Sequence, residues 1–314
     1  MELIALLVFI ITQIVIIPLV IIAGIIATYK QVFVSKKLGV SGTAISVIGA
    51  RWLMDVFDLR KDTASVKLYR VLPNAYVFGM WLLFFPAYLR YKISGNHRGF
   101  ASIKEEGKEG MVDVSITRTI HFDKLINNSK DNVEQFVVMG AGFDTRSYGN
   151  LKQSNLRFFE LDQAETQKLK VKCLKKADID VSHVTFIEVD FSKDNWYEKL
   201  KDAGYDPDKK AIFLWEGVTL YISENDVRKT IRVIKEHAAH GSILITDLYS
   251  KRLVALKGVK ATNEKFNFAL DFSSDKEKVL KTFLESANVK AGNFCFMGHK
   301  TKKGAFGVVV EIVL

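Results

Sequence analysis

Two cysteines in 314 residues, Cys173 and Cys295, form neither a disulfide framework nor a zinc-ligand spacing. Reduced, cytosol-facing chemistry is therefore expected. The net charge of +10 comes without a basic stripe interleaved with aromatics and without a recognised nucleic-acid motif. Nucleic acid is thus not the expected partner, and an anionic membrane surface is. The chain also lacks internal repeats and low-complexity linkers. No Lys or Arg precedes the first apolar run, only Met1 and Glu2, and no clear A-x-A site follows it, which argues against a cleaved signal peptide.

What is present suits one large domain plus an appendage: 48% apolar and 25% charged residues. Leu3 to Ala27 is apolar apart from Thr12, Gln13, Pro18 and Gly24, and exceeds the roughly 20 residues that cross hydrocarbon as a helix. Lys30, Lys36 and Lys37 follow it. The positive-inside bias then predicts a single-pass anchor at 1–29 with the remainder on the cytoplasmic side. Gly42 to Leu59 places Ile45, Ile48, Trp52, Leu53 and Val56 at helical spacing, with Ser46, Arg51 and Asp55 elsewhere around the wheel. Ala75 to Leu89 is very apolar, too short to span, and interrupted by Gly79 and Pro86. It reads either as an aromatic cover resting on the bilayer or as a buried helical hairpin. His97 to Asp113, rich in Gly, Lys and Glu, reads as a mobile loop of lid length. Residues 30–112 are accordingly expected to link the anchor to the enzyme and cover its site, with 113–314 as the ligand-binding domain.

The centre of the chain is Phe136 to Tyr148, F-V-V-M-G-A-G-F-D-T-R-S-Y, where an apolar run stops at two glycines and an acid. An apolar run of this length reads as a buried parallel strand, and Gly140 and Gly142 as the turn at its carboxyl end, where open α/β sheets bind ligands. Position 145 is Thr, so the third glycine of a dinucleotide fingerprint is missing and NAD is disfavoured. Three further apolar runs end in acids: Phe158 to Asp162, Phe186 to Phe191 with Asp190 inside it, and Ile212 to Glu216. Each acid alone would serve as a helix cap; together they favour a shared cleft. Strands alternate with helices at Ala164 to Lys176, Asn195 to Ala203 and Glu224 to Ala239, and a terminal hairpin follows. The expectation is an α/β, doubly wound, mostly parallel seven-stranded sheet.

These residues resemble the leucine carboxyl methyltransferase family of class I S-adenosylmethionine-dependent methyltransferases. The resemblance rests on T-R-T-I-H-F-D at Thr117 to Asp123, V-V-M-G-A-G-F-D-T-R-S-Y at Val137 to Tyr148, and F-F-E-L-D-Q at Phe158 to Gln163. V-D-F at Val189 to Phe191 and W-E-G-V-T-L-Y-I at Trp215 to Ile222 complete it. It implies a Rossmann-like sheet, S-adenosylmethionine as cofactor, and a set of contacts. Arg118 and Gly140, beside Gly142, would meet the methionine part, Asp162 the ribose, Asp190 and Phe191 the adenine, and Glu216 the amino group. With a one-residue gap, Lys67 matches an upstream cofactor-contacting lysine.

The chemistry is then in-line displacement at a sulfonium methyl, which asks for alignment and dryness and needs no metal. A carboxylate acceptor, with a pKa near ~4, needs no general base. A hydroxyl acceptor would, and His121, His97 and Tyr221 are the candidates, His121 lying one helical turn from the carboxylate clamp Arg118. The leading expectation is a membrane-anchored O-methyltransferase for a lipophilic small molecule or membrane-associated protein; the other is a non-catalytic S-adenosylmethionine-binding scaffold.

Overall fold

The computed structural model describes residues 1–97, 102–153, 155–256, 265–302 and 304–314, so part of the expected His97–Asp113 loop lies outside the described residues. Two compact units emerge, and they do not follow the division into 1–29, 30–112 and 113–314. One comprises Met1–Ile103, Phe143–Gly149 and Lys168–Asp180; the other comprises Lys104–Gly142, Asn150–Gln167 and Val181–Leu314.

The second unit holds the sheet. Its strands are β1 Gln135–Met139, β2 Arg157–Asp162, β3 Val184–Glu188, β4 Ala211–Trp215, β5 Ile243–Tyr249, β6 Lys290–Met297 and β7 Gly307–Val313. They are ordered β3-β2-β1-β4-β5-β7-β6, with only the pairs made by β7 antiparallel. All residues of β1, β4 and β5 are buried, as expected of central strands covered on both faces. Val137, Phe159, Phe213, Trp215, Leu244 and Val310 belong to one continuous core. The helices are α6 Val114–Ser129, α7 Ala164–Lys176, which continues into the other unit, α8 Trp196–Asp202, α9 Glu224–His237, α10 Lys251–Val254 and α11 Lys276–Glu285. Ser223 and Asp275 cap α9 and α11, their side chains accepting from Asp226 N at 3.2 Å and Lys278 N at 3.0 Å. The strand order reverses between β1 and β4, which opens a crevice at their carboxyl ends.

The first unit is helical: α1 Glu2–Tyr29, α2 Ser35–Leu38, α3 Gly42–Val56, α4 Thr63–Val71 and α5 Val77–Ser94. Ala75 to Leu89 forms most of one continuous helix, α5, that pairs with α1, and it is not a buried hairpin: Phe78, Leu83 and Phe85 are exposed. The wheel drawn for α3 needs a correction. Arg51, expected away from the apolar stripe, is 1% exposed. Its guanidinium donates to Asp144 at 2.8 Å, and Asp144 also pairs with Arg146 at 2.5 Å, so a charge off the stripe is buried because partners distant in sequence neutralise it.

Candidate active site

Gly140, immediately after β1, has φ +68°, and a Cβ there would stand 2.3 Å from Val218 Cγ2 in the loop after β4. Only glycine fits both the left-handed backbone and the close approach. The backbone N–H groups of Gly140 and Ala141 donate to Leu161 O at 2.8 and 3.0 Å, and the Gly142 N–H donates to the Asp162 carboxylate. The turn after β1 is therefore folded onto the end of β2. Asp162 is partly exposed and also accepts from Gln163 N at 2.7 Å.

Beside it opens a cleft of about 410 Å³ lined by Gln163, Ala164, Glu188, Val189 and Asp190, with Lys199 among the basic residues at its rim. The expected strand Phe186 to Phe191 stops at Glu188, so Asp190 and Phe191 sit in the loop beyond it. There the Lys193 ammonium, 2.8 Å away, holds the Asp190 carboxyl below the usual carboxylate range. The Phe191 ring lies 6.0 Å from Trp196 and 6.4 Å from Trp215, anchored to the core.

The most unusual feature is a buried ionic cluster. Arg118, from α6, reaches Glu216 at 3.1 Å and Asp247 at 3.5 Å and donates to the Tyr249 hydroxyl. Tyr249 donates in turn to Asp247 at 2.7 Å, and the Gly217 N–H donates to both Asp247 oxygens at 2.9 and 3.0 Å. Burial pushes the Asp247 carboxyl up to about 6, with the Arg118 charge opposing it. Burial also works against the Arg118 charge, but Tyr249, Glu216 and Asp247 outweigh it and raise its pKa further. Two carboxylates facing one guanidinium leave surplus negative charge, suited to a ligand that carries a cation. Arg118 Nε is buried with no hydrogen-bond partner among the described residues, a donor that a ligand carboxylate would satisfy. A sulfonium amino acid joined to a nucleoside meets both requirements.

His121, on the next turn of α6, serves a different neighbour: its Nε2 lies 3.1 Å from Cys295 Sγ. Burial lowers the His121 pKa and, together with Glu106 and Glu109, pushes the Cys295 thiol up to about 12, so at neutral pH the pair is uncharged. Among the other sequence candidates, Lys67 is exposed on α4 and His97 stacks on Tyr91 at 4.3 Å, both in the first unit. The Tyr221 carbonyl accepts from Asn267. Gly140, Gly142 and Asp162 are thus brought together, as are Arg118 and Glu216. Asp247 and Tyr249, both inside β5, are not among the site residues that the sequence reading names. The readable signal was an acid within the apolar run I-L-I-T-D-L-Y.

The sheet order and Gly turn are those of the class I methyltransferase fold. The model of the leucine carboxyl methyltransferase family matches residues 87–235. That match takes in just under half of the chain, and the relatives it resembles are named for S-adenosyl-L-methionine. The Bacillus subtilis (strain 168) protein YktD, named for S-adenosyl-L-methionine-dependent methyl transfer, is 30% identical over 146 residues, 46% of this chain and 48% of its own length. A similarly named Mycolicibacterium smegmatis protein is 30% identical over 149 residues, covering 46% of this chain and 49% of that one. The chain therefore spans about half the length of the curated relatives it matches. The solved magnesium protoporphyrin IX methyltransferase of Synechocystis PCC 6803, with bound SAH, is 12% identical at TM-score 0.43, over 67% of this chain and 90% of that one.

Proposed function

We propose that the chain is an S-adenosylmethionine-dependent O-methyltransferase acting on a carboxyl or hydroxyl group of a lipophilic or membrane-held acceptor. The observation that carries this reading is the Arg118–Glu216–Asp247–Tyr249 cluster beside the Gly140 turn at the sheet's switch point. Asp162 accepts the ribose hydroxyls, and Asp190 and Phe191 flank the base. Arg118 Nε takes the methionine carboxylate, while Glu216 and the surplus negative charge receive its ammonium. When bound, S-adenosylmethionine supplies a methyl group on a positively charged sulfur, open to displacement along one line. The protein's contribution is to hold and align the two reactants in a buried polar frame. A carboxylate acceptor arrives ionised. For a hydroxyl acceptor His121, kept neutral by burial, is the general-base candidate on α6.

The exposed apolar hairpin of the first unit supports a membrane-held acceptor, because confinement to one surface raises the effective concentration of enzyme for substrate. The deciding experiment incubates the full chain with methyl-labelled S-adenosylmethionine and a membrane extract. Label should enter the lipid or membrane-protein fraction, and its release as methanol in base would mark a carboxyl ester, whereas ethers would hold it. Tight cofactor binding with no transfer into any fraction would instead establish a binding scaffold.

A further inference from the structure

The apolar N-terminal run predicts a membrane-spanning helix, and α1 through α2 is long and apolar enough for one. Its packing offers a second arrangement. Lys30 Nζ donates to Ala75 O at 3.0 Å, a Cβ on Gly79 would be 3.3 Å from Ala23 Cβ, and the Arg90 guanidinium lies 5.8 Å from the Phe9 ring and 3.9 Å from Glu2. Helix α5 therefore runs antiparallel to α1 along most of its length.

A second helical layer lies beside this hairpin rather than beyond its end. Trp52 of α3 meets Trp81 of α5 edge to face at 5.4 Å, Phe57 meets Tyr88 at 6.0 Å, and Tyr69 of α4 lies 5.8 Å from Trp52. Trp81 and Tyr88 fall between Gly79, opposite Ala23, and Arg90, opposite Phe9. The exposed Lys67 and Arg70 of α4, on the helix of Tyr69, and Arg51, next to Trp52, are thus carried on the flank of the hairpin, between its two ends. Were α1 to cross the bilayer, this polar layer would be carried into the hydrocarbon, where exposed charges are strongly disfavoured.

We infer that α1 and α5 lie together in one leaflet, along the bilayer plane, so that the chain is held on the membrane without crossing it. The occupant of the open apolar face is lipid. On α1 the exposed residues Leu3, Leu7, Ile10, Ile14, Ile17 and Ile21 repeat at spacings of three and four, with exposed Phe78 on α5 adding to the apolar surface. The two polar side chains, Thr12 and Gln13, fall on the half-covered side. The charges agree. Lys30, Lys36 and Lys37 close one end, but α5 returns Arg90 and Lys92 to the other, beside Glu2, so basic residues flank both ends as a single anionic surface requires. The asymmetry behind a spanning orientation exists in the sequence and disappears in the fold. This inference refines the membrane-held part of the proposed function and leaves methyl transfer itself untouched.

The test is a depth measurement on the full chain, with Cys295→Ser to remove the half-buried thiol, in vesicles of equal phosphatidylcholine and phosphatidylglycerol. Single nitroxides are placed through Ile4→Cys, Ile14→Cys or Ile25→Cys, exposed by 56%, 64% and 66% and so tolerant of labelling. Relaxation by oxygen and by a nickel chelate reports depth. An in-plane hairpin gives three labels at one depth within about a helical turn, ~5.4 Å, all short of the midplane. A spanning helix instead puts Ile14 deepest and Ile4 and Ile25 near opposite surfaces about 31 Å apart, which overturns the inference. Labels left in water overturn it too, since lipid would then not occupy the face. Methyl transfer by the same samples keeps this outcome separate from the enzymatic reading.

Discussion

Asp162 holds the turn after β1 by accepting from Gly142 N–H and stands where ribose hydroxyls would bind, so its charge and its shape are separable. Asp162→Asn preserves an acceptor for the turn and removes the charge. A hydrogen bond to a charged group contributes ~1.5 to 3 kcal/mol, so the S-adenosylmethionine Kd should rise roughly 10- to 100-fold, read by calorimetry, with the melting temperature nearly unchanged. An unaltered Kd would remove the ribose assignment. Asp247 is different, because its carboxyl is raised from an ordinary 3.8 to about 6 by burial. Between those values the folded protein holds a proton that the unfolded chain has released, so this group makes stability fall as pH rises from about 4 to about 6, and adds no slope above. The stability of wild type minus that of Asp247→Asn should therefore drop across that window, by up to about 3 kcal/mol, in denaturant titrations at stepped pH. A flat difference would mean that Asp247 is ionised at ordinary acidity.

At the scale of elements, the loop after the Gly turn is pinned by α3 of the same unit. Arg51 and Asp144 are 93 residues apart, and the pair is nearly fully buried. Burial opposes the Asp144 charge, yet Arg146 and Arg51 hold its carboxyl well below the usual carboxylate range. Arg51→Met keeps much of the volume and removes one of the two cations facing a buried carboxylate, which should cost up to about 3 to 5 kcal/mol in urea unfolding. A loss below about 1 kcal/mol would show that Arg146 alone suffices. The helix α3 was readable from its apolar spacing. The fate of Arg51 was not, because periodicity marks which positions face a core and carries no information about a counter-charge so distant in sequence.

For the whole molecule, membrane attachment should depend on the open face of α1 and not on its fold. Ile14, Ile21 and Ile25 are 64%, 60% and 66% exposed. Changing all three to Lys places charges that cost up to ~2.5 to 3.5 kcal/mol each in hydrocarbon, while removing few internal contacts. The full chain should move from the membrane pellet to the supernatant with little change in melting temperature. Retention in the pellet would place the attachment elsewhere, on α5 or on the basic ends.

The alternating strands and helices, the glycine turn at Gly140, the acids Asp162 and Glu216 at strand ends, and the cofactor class are legible in the chain before it folds. All of these are written in runs of a few neighbouring residues, where burial period and backbone permissiveness act locally. Tertiary structure decided the rest. Asp247 and Tyr249 became partners of Arg118 only when β5 was laid beside β4 with α6 packed near it. Arg51 became an internal charge only when Asp144 was folded against it, and the helix that reads as a membrane span received α5 along its flank. Such outcomes depend on pairings between distant segments, and the energy of a buried charge or an apolar face is set by what lies opposite it.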